Sequence, residues 1–176
     1  TVNSYGKNLL EGRVPFARLL KLLSDIDGIE RIRFTSPYPR DFRDDLISAI
    51  AELPKVMEHV HLPLQSGDND ILKAMRRLYT VEQFEEVAAK LRERVPGIAI
   101  TTDIIVGFPD ETDEQFENTL RVVERIRFDG AFMFAYSPRP GTPAAQMENQ
   151  VPRAVKQERL QRLIALQNRI TCEINS

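Results

Sequence analysis

Small polar residues follow several short apolar segments of this chain, at positions where their side chains could bind a ligand. The fullest example spans residues 101–112, where a β-branched segment meets the turn Gly107-Phe108-Pro109 and a helix with a capping signal follows at once. In parallel α/β proteins, such a strand-to-helix turn lies at the edge of the sheet where ligands bind. Gln65 and Ser66 follow another apolar segment, and their amide and hydroxyl could hydrogen-bond ribose hydroxyls or a carboxylate without adding net charge.

Both features also have a simpler structural interpretation. Ser66 could cap the helix that starts near Asp68, and the Gly107 turn could be an ordinary βα connection closed by Thr112. A single glycine is not a dinucleotide-binding fingerprint, so the turn does not indicate a phosphate cradle. From the residues alone, the ligand-binding and structural interpretations stay open.

Charged residues near the strand ends suggest further contacts. Asp103 interrupts an apolar strand, where an unpaired charge is costly to bury, so we expect it to face cations or substrate hydroxyls, or to pair with an arginine. His59 and His61 share one strand face, but no other His or Cys joins them, so we expect no metal site. Arg139 follows the last strand, where its guanidinium could bind a carboxylate or an RNA phosphate, or remain on the surface.

Ser36 and the pair Arg76-Arg77 are further polar positions outside the strands. Ser36 lies in a loop rigidified by Pro37 and is a candidate contact for a cofactor or a substrate. Arg76 and Arg77 are interpreted as part of a solvated face and not as a track for RNA.

The elements that must position these residues are predicted by hydrophobic periodicity, which alternates four times between strand and helix patterns. Because a helix separates consecutive strands, the strands should run parallel, with their carboxyl ends on one rim that holds the site. Thr80 with Gln83 and Thr112 with Gln115 match the capping box at two helix starts. The predicted strands are residues 29–35, 57–64, 98–106 and 131–136, and a final amphipathic helix begins at Pro152.

Size and composition narrow the class of protein. The 176 residues fit one domain with a sizeable core, and 24 basic against 26 acidic residues give a net charge of -2, which does not suit a protein that coats nucleic acid. No apolar run reaches the roughly 20 residues of a membrane span, so we expect a cytoplasmic location and no membrane partner. The single cysteine, Cys172, excludes a disulfide framework or a cysteine-held metal cluster made by this chain alone.

Three segments together closely resemble one family. Residues 59–67, 101–112 and 136–145 are similar to the radical S-adenosylmethionine (SAM) methylthiotransferases. Within that family the chain resembles most the MiaB type, the tRNA 2-methylthio-adenosine synthases, which have similar segments at positions matching 2–6 and 75–77. The similarity covers essentially the whole chain.

The resemblance implies an α/β fold, a partial (β/α) TIM-like barrel of the radical SAM type, with about four βα units here and about six in the intact domain. It implies an enzyme whose [4Fe-4S] cluster cleaves SAM to a 5′-deoxyadenosyl radical, which abstracts hydrogen from C2 of an isopentenyl-modified adenosine in tRNA. A second cluster is associated with sulfur delivery, and another SAM supplies the methyl group. The implied partners are tRNA, SAM and a reductant such as flavodoxin or ferredoxin.

Together with the side-chain chemistry above, the resemblance gives a set of site residues. Residues 105–108 are expected to form part of the wall around the adenine of SAM, and the substrate contacts are expected from Ser137 and Arg139. No catalytic residue and no metal ligand is assigned. The expected cofactor-binding residues are Ser36, His61, Gln65, Ser66, Asp103, Ile105, Val106, Gly107 and Phe108.

The chain also departs from the family. The three-cysteine CxxxCxxC loop that binds the radical cluster is expected before Thr1, and a small RNA-binding domain after Ser176, so this fragment alone should be inactive. We expect residues 1–151 to be the C-terminal portion of the barrel and 152–176 to be a helix leading toward that domain. Leu78 and Asp110 occupy positions where the family usually has glycine, which would alter loop detail if φ there is positive.

Two alternatives stay open. A sibling methylthiotransferase could act on threonylcarbamoyl-adenosine in tRNA, since those relatives share the Gln-Ser-Gly of residues 65–67, or on a ribosomal protein, although that type usually carries Gln-His-Ala there. A non-catalytic βα domain that binds a nucleotide-like ligand would also explain the missing cysteines.

Overall fold

The computed structural model describes residues 2–6 and 15–176. Its three strands form one sheet in the order β1-β2-β3, and short 3-10 helices occur at Val2–Ser4, Pro39–Asp41 and Pro143–Gln146. The chain divides into two compact units, Thr1–Pro63 with Gln83–Thr101 and Leu64–Glu82 with Thr102–Ser176. The helices and strands are α1 (Phe16–Ser24), α2 (Asp44–Glu52), β1 (His59–His61), α3 (Asn69–Ala74), α4 (Val81–Arg94), β2 (Ala99–Val106), α5 (Asp113–Ile126), β3 (Gly130–Ala135) and α6 (Arg153–Ile174).

The first unit is built around the parallel pairing of β1 with the start of β2. Val60 lies opposite Ile100 in this register, and both side chains are fully buried. Helix α2 packs against α1, and its apolar side chains Leu46, Ile47 and Ile50 are buried in the core of this unit. The expected alternation of helices and strands is therefore present in this unit.

The strand predicted over residues 29–35 is only partly formed. It makes two isolated parallel bridges, Ile32 with Val56 and Thr35 with His61, in place of a continuous ladder. Charged residues fill much of this segment, so few of its side chains can be buried, and Ser36 turns the chain with a left-handed φ of 52° directly afterwards. The strand predicted over 57–64 shortens to β1, because Pro63 has no N–H to donate to a ladder.

The second unit contains the remainder of β2, all of β3 and helices α3, α5 and α6. The predictions for β2 and β3 are confirmed to within one residue at each end. The capping box at the start of α5 is also confirmed: the N–H of Gln115 donates to Thr112 Oγ1 at 3.2 Å, and the N–H of Thr112 donates to Gln115 Oε1 at 3.0 Å. Helix α4 begins at Val81, directly after Thr80 as expected, and its own capping box stays a prediction. Within the described part of the chain, no helix combines the length and apolarity needed to cross a membrane.

A buried ion pair joins α6 to the turn after β2. Glu111 and Arg159 are only 4% and 5% exposed, and Glu111 Oε2 lies 2.8 Å from Arg159 Nη1. The same carboxylate oxygen accepts the N–H of Gly107 at 2.7 Å, and Arg159 also donates to Asp113 at 2.8 Å. The helix that was expected to lead toward a further domain is thus an integral element of the second unit.

Other polar contacts extend this attachment along α6. Lys156 Nζ donates to the carbonyl of Tyr136 at 3.0 Å, and Gln167 donates to the carbonyl of Phe128 at 2.8 Å. Arg162 pairs with Glu117 on the α5 side. Because these contacts reach the ends of both β2 and β3, the helix fixes the strand ends relative to each other.

Burial raises the pKa of Glu111 above its ordinary value, and the Gly107 N–H and the Arg159 guanidinium only partly offset that effect. For the ionised form of this carboxylate, the free-energy cost of desolvation therefore exceeds the gain from its two partners. This is the behaviour expected when two charges leave water together, since the Coulombic gain need not repay the loss of hydration.

Removing one partner of the pair should cost far more than removing both charges. We expect Arg159→Met to lower the free energy of unfolding by about 3 kcal/mol, because a buried carboxylate then lacks its counter-ion. In the double variant Glu111→Gln with Arg159→Met, a glutamine oxygen can still accept from Gly107, so much of that loss should be recovered. Urea unfolding of the parent, the two single variants Glu111→Gln and Arg159→Met and the double variant measures the coupling between the two residues. Strictly additive effects of the two single changes would contradict the prediction.

The raised pKa of Glu111 also predicts the pH dependence of stability. The folded chain keeps this proton at pH values where the unfolded chain has lost it, so the contribution of Glu111 is greatest at low pH. It should decline as pH rises from about 4.3, where an exposed glutamate ionises, through the raised folded pKa. We expect a steeper decline in Arg159→Met and its disappearance when Glu111→Gln is added, measured by unfolding between pH 4 and pH 8.

Candidate functional site

A cavity of about 530 Å³ opens at the carboxyl ends of β2 and β3 in the second unit. Its volume lies within the roughly 300–1,000 Å³ typical of small-molecule sites. The wall combines the C-terminal half of β2, Gln65, the end of β3 and the loop after β3. The lining residues are Gln65, Asp103, Ile105, Phe134, Ala135, Tyr136, Ser137, Arg139, Thr142 and Ala144.

Gln65 is held in the cavity wall in an unusual backbone conformation. Its φ of 73° is left-handed, which costs a non-glycine residue roughly 1–2 kcal/mol. Two backbone hydrogen bonds fix it there: the Gln65 N–H donates to the Asp103 carbonyl at 2.8 Å, and the Ile105 N–H donates to the Gln65 carbonyl at 2.9 Å. Within the described residues its side-chain amide has no hydrogen-bond partner, although the residue is only 6% exposed. Strain combined with an unused amide at a cavity wall indicates a ligand-binding role.

The polar groups of the wall differ in charge and position. Asp103 supplies a carboxylate, Arg139 a guanidinium and Ser137 a hydroxyl, while Ile105 and Phe134 provide apolar surface. Such a wall can bind a ligand that carries both an acidic and a basic group next to an apolar or aromatic body. The rim predicted from the strand ends therefore brings five of the expected site residues together, Gln65, Asp103, Ile105, Ser137 and Arg139.

Ser66 lies outside this wall. The residue is fully buried, and its hydroxyl accepts the Asp68 N–H at 3.3 Å and lies 3.5 Å from Thr119 Oγ1. A Cβ on neighbouring Gly67 would come 2.5 Å from Thr119 Cα, so this segment packs directly on the backbone of α5. The alternative that Ser66 caps the next helix is wrong, because Asp68 is the N-cap of α3 and accepts the N–H groups of the following turn.

Val106 and Gly107 also lie outside the cavity wall. Val106 is fully buried, and its carbonyl accepts the N–H of Tyr136 at 2.8 Å. Gly107 has a φ of 71°, and a Cβ there would meet Lys156 Cγ at 2.2 Å, so glycine is required by the close approach of α6. Phe108 packs edge-on against Tyr136, with 5.1 Å between ring centroids, and lines a neighbouring smaller cavity.

Ser36 and His61 belong to the first unit. Ser36 is exposed in its left-handed turn, next to the bridge of Thr35 with His61. His61 Nδ1 lies 3.0 Å from Thr101 Oγ1, which is itself 3.2 Å from His59 Nε2. Both imidazoles therefore lie against the same hydroxyl, and His59 Nδ1 also lies 2.9 Å from Arg33 Nη2. Among the residues that the structure describes, no group of three or more potential metal ligands occurs.

Sequence reasoning did not identify several residues of the site. Phe134 forms part of the cavity wall, and the alternation of Phe132 and Phe134 along β3 could have placed both rings on one face. Tyr136 was treated only as part of a motif, yet it lines both cavities. The pairing of Glu111 with Arg159 carries no local signal, because the partners lie 48 residues apart in the chain.

Asp110, which occupies a position where the family usually has glycine, has a positive φ. Its φ is 66°, in the left-handed region. The side chain compensates through a 2.6 Å bond from Asn149 Nδ2, and the Asp110 N–H donates to the Asn149 carbonyl at 3.0 Å. Two contacts with Asn149 therefore hold this left-handed turn.

Comparison with known proteins agrees with this architecture. Among similar curated proteins, the tRNA-2-methylthio-N(6)-dimethylallyladenosine synthase of Thermobifida fusca is 57% identical over 175 residues, covering 99% of this chain and 35% of that protein. Proteins of the same name from Streptomyces coelicolor and Thermoanaerobacter pseudethanolicus are 56% and 59% identical, over 99% and 98% of this chain and 34% and 36% of their own lengths. The chain spans about a third of the length of the curated relatives it matches.

One solved structure shares the fold of this chain, and one family model matches its sequence. The coproporphyrinogen III oxidase HemN of Escherichia coli, described as a radical SAM enzyme, matches 88% of this chain and 36% of its own with a TM-score of 0.68. At 22% identity this match shows the fold alone. The Radical SAM superfamily model matches residues 9–123, more than half of the sequence. With its α/β fold and partial βα barrel, this chain belongs to the Radical SAM superfamily.

Proposed function

We propose that this chain is the SAM-binding part of a tRNA methylthiotransferase that adds a methylthio group at C2 of isopentenyl-modified adenosine. The observation that carries the proposal is the 57% identity, across 99% of the chain, to a relative whose name states that product. A cytoplasmic location is part of the same proposal, as is a reductant such as flavodoxin or ferredoxin.

The residues of the cavity fit SAM. Arg139 can bind the methionine carboxylate, and Asp103 can accept hydrogen bonds from its ammonium group or from the ribose hydroxyls. Gln65 offers an amide to either polar part, while Ile105 provides apolar surface for the adenine. When bound, SAM would supply the radical and the methyl group of the reaction. The protein residues bind it, orient it and exclude water from it.

An iron–sulfur cluster does not fit the residues of this chain. Such clusters are held by several cysteine thiolates, and the only cysteine here, Cys172, is exposed near the end of α6. We therefore propose that the [4Fe-4S] ligands lie in a part of the full-length protein outside this chain. By itself the chain would bind SAM without catalysing the reaction.

The reaction itself is tested with the full-length protein, reconstituted with iron and sulfide under anaerobic, reducing conditions. We expect mass spectrometry of tRNA nucleosides to show the 2-methylthio derivative of isopentenyl-adenosine. Transfer RNA that lacks the isopentenyl group is the matched control and should gain no methylthio group. Modification only of threonylcarbamoyl-adenosine, or only of a ribosomal protein, would contradict the proposed substrate.

The SAM site is tested with two neighbouring variants that the structure separates. Gln65→Ala removes an amide from the cavity wall, so SAM affinity measured by calorimetry on the full-length protein should fall by roughly tenfold, consistent with loss of one hydrogen bond to a charged ligand. Ser66→Ala removes a buried hydroxyl outside the wall, so it should lower unfolding stability by about 1 kcal/mol and leave SAM affinity unchanged. Equal SAM affinities in both variants and the parent would reject the assignment of Gln65.

A further inference from the structure

Two phenyl rings of strand β3 share one exposed face in the second unit. Phe132 and Phe134 are separated by one residue, so their side chains leave the strand on the same side. Phe132 is 62% exposed and Phe134 is 51% exposed, whereas Met133, on the opposite face, is half-buried in a strand on which α6 packs. Neighbouring large apolar side chains that stay exposed indicate a binding surface more than a structural one.

The exposed face is continuous with the cavity assigned to SAM. Phe134 belongs to the cavity wall together with Ile105, which already offers apolar surface for the adenine. Phe132 precedes Phe134 by two residues and lies about 7 Å further from the rim, outside the lining of the cavity. The apolar surface therefore extends past the space that the cofactor needs.

A molecule that reacts with SAM must lie beside it, and therefore close to this face. In the proposed reaction that molecule is an adenosine that carries a substituent on N6. The base itself has to approach the cofactor, so the substituent is the part that can extend along the strand toward Phe132. The chemistry of the face then decides which substituent is bound.

The face suits an uncharged hydrocarbon group. Residues 130–135 contain no charged side chain, and the wall of the adjoining cavity includes the carboxylate of Asp103. A dimethylallyl group has no polar atoms, so its contact with phenyl rings removes only apolar surface from water. A threonylcarbamoyl group carries a carboxylate, which would lose hydration there without meeting a cation on the strand. The cation of the cavity wall, Arg139, lies on the loop after β3 and is assigned to the carboxylate of SAM.

We infer that Phe132, together with Phe134, binds the dimethylallyl group of the substrate adenosine and determines the preference of the enzyme for tRNA that carries this group. The inference rests on the proposed function for the identity of the substrate. Phe134 contacts both the cofactor and the substituent, whereas Phe132 contacts the substituent alone. Phe132 is therefore the residue whose change separates substrate recognition from cofactor binding.

The test uses the full-length protein and one tRNA in two forms, with and without the dimethylallyl group. Both Kd values are measured with saturating SAM and without reductant, so that no turnover occurs, and their ratio measures the preference. For Phe132→Ala we expect the Kd of the dimethylallyl form to rise about tenfold, because the group loses its contact with one phenyl ring. The Kd values for the unmodified tRNA and for SAM should change by less than about twofold. Phe132→Leu keeps an apolar side chain and should lower the ratio less.

Met133→Ala is the matched control on the same strand. It removes a half-buried side chain from the opposite face, so the protein should unfold at a lower temperature while the ratio of the two Kd values stays unchanged. Phe132→Ala should show the reverse pattern, since an exposed ring contributes little to folding.

Three results would overturn the inference. The first is an unchanged ratio in a Phe132→Ala protein that is as stable as the parent. The second is a Phe132→Ala protein that unfolds at a lower temperature than Met133→Ala while Phe132→Leu keeps the full ratio, because another part of the full-length protein would then cover the ring. The third is a loss of SAM affinity in step with tRNA affinity, because the face would then serve the cofactor.

Product analysis of the parent distinguishes this inference from the proposed function. If the parent adds the methylthio group to the dimethylallyl form but the Phe132 variants keep its preference, the inference fails and the function stands. If the parent prefers the dimethylallyl form through Phe132 yet forms no methylthio product, the recognition site stands and the reaction assigned to the protein is wrong.

Discussion

The carboxylate of Glu111 is the point at which the second unit is held together. One oxygen accepts both the N–H of Gly107 and the guanidinium of Arg159, so a single side chain fixes the turn after β2 and the placement of α6. Because burial opposes the ionised form, this pair contributes little net stability, and we interpret its main effect as selecting one arrangement of turn and helix. The cavity wall depends on that arrangement, since it is assembled from strand ends that α6 contacts.

Tyr136 shows how the helix and the two cavities are linked. Its carbonyl accepts from Lys156, whose ammonium group lies 5.5 Å from the centroid of the same ring, and the stem of Lys156 covers Gly107. The Tyr136 hydroxyl is buried, although the residue lines both cavities. The Tyr136 ring is therefore positioned by backbone and cation contacts from α6.

Local patterns in the sequence were sufficient to predict β2, β3, the α5 capping box and the rim that gathers Gln65, Asp103 and Arg139. These features depend on residues close in the chain or on the rule that parallel strands end together. The positions of Ser66 and Gly107 outside the cavity wall could not be predicted from such local patterns. A left-handed residue at Gln65 reorients the side chains that follow it, and the fit of Gly107 depends on Lys156, which lies far along the chain. The burial of Arg77 Nε is likewise a tertiary effect.

Left-handed backbone at non-glycine residues has a consequence for attempts to stabilise this protein. Gln65 and Arg76 both adopt it and both line a cavity. A redesign guided by folding stability alone would place glycine at each position, because the strain at each is of order 1 kcal/mol or more. Such a sequence would keep the fold and lose an amide from one cavity and a guanidinium from the other. A gain in thermal stability at these two residues should therefore be judged against the loss of a polar group from each cavity.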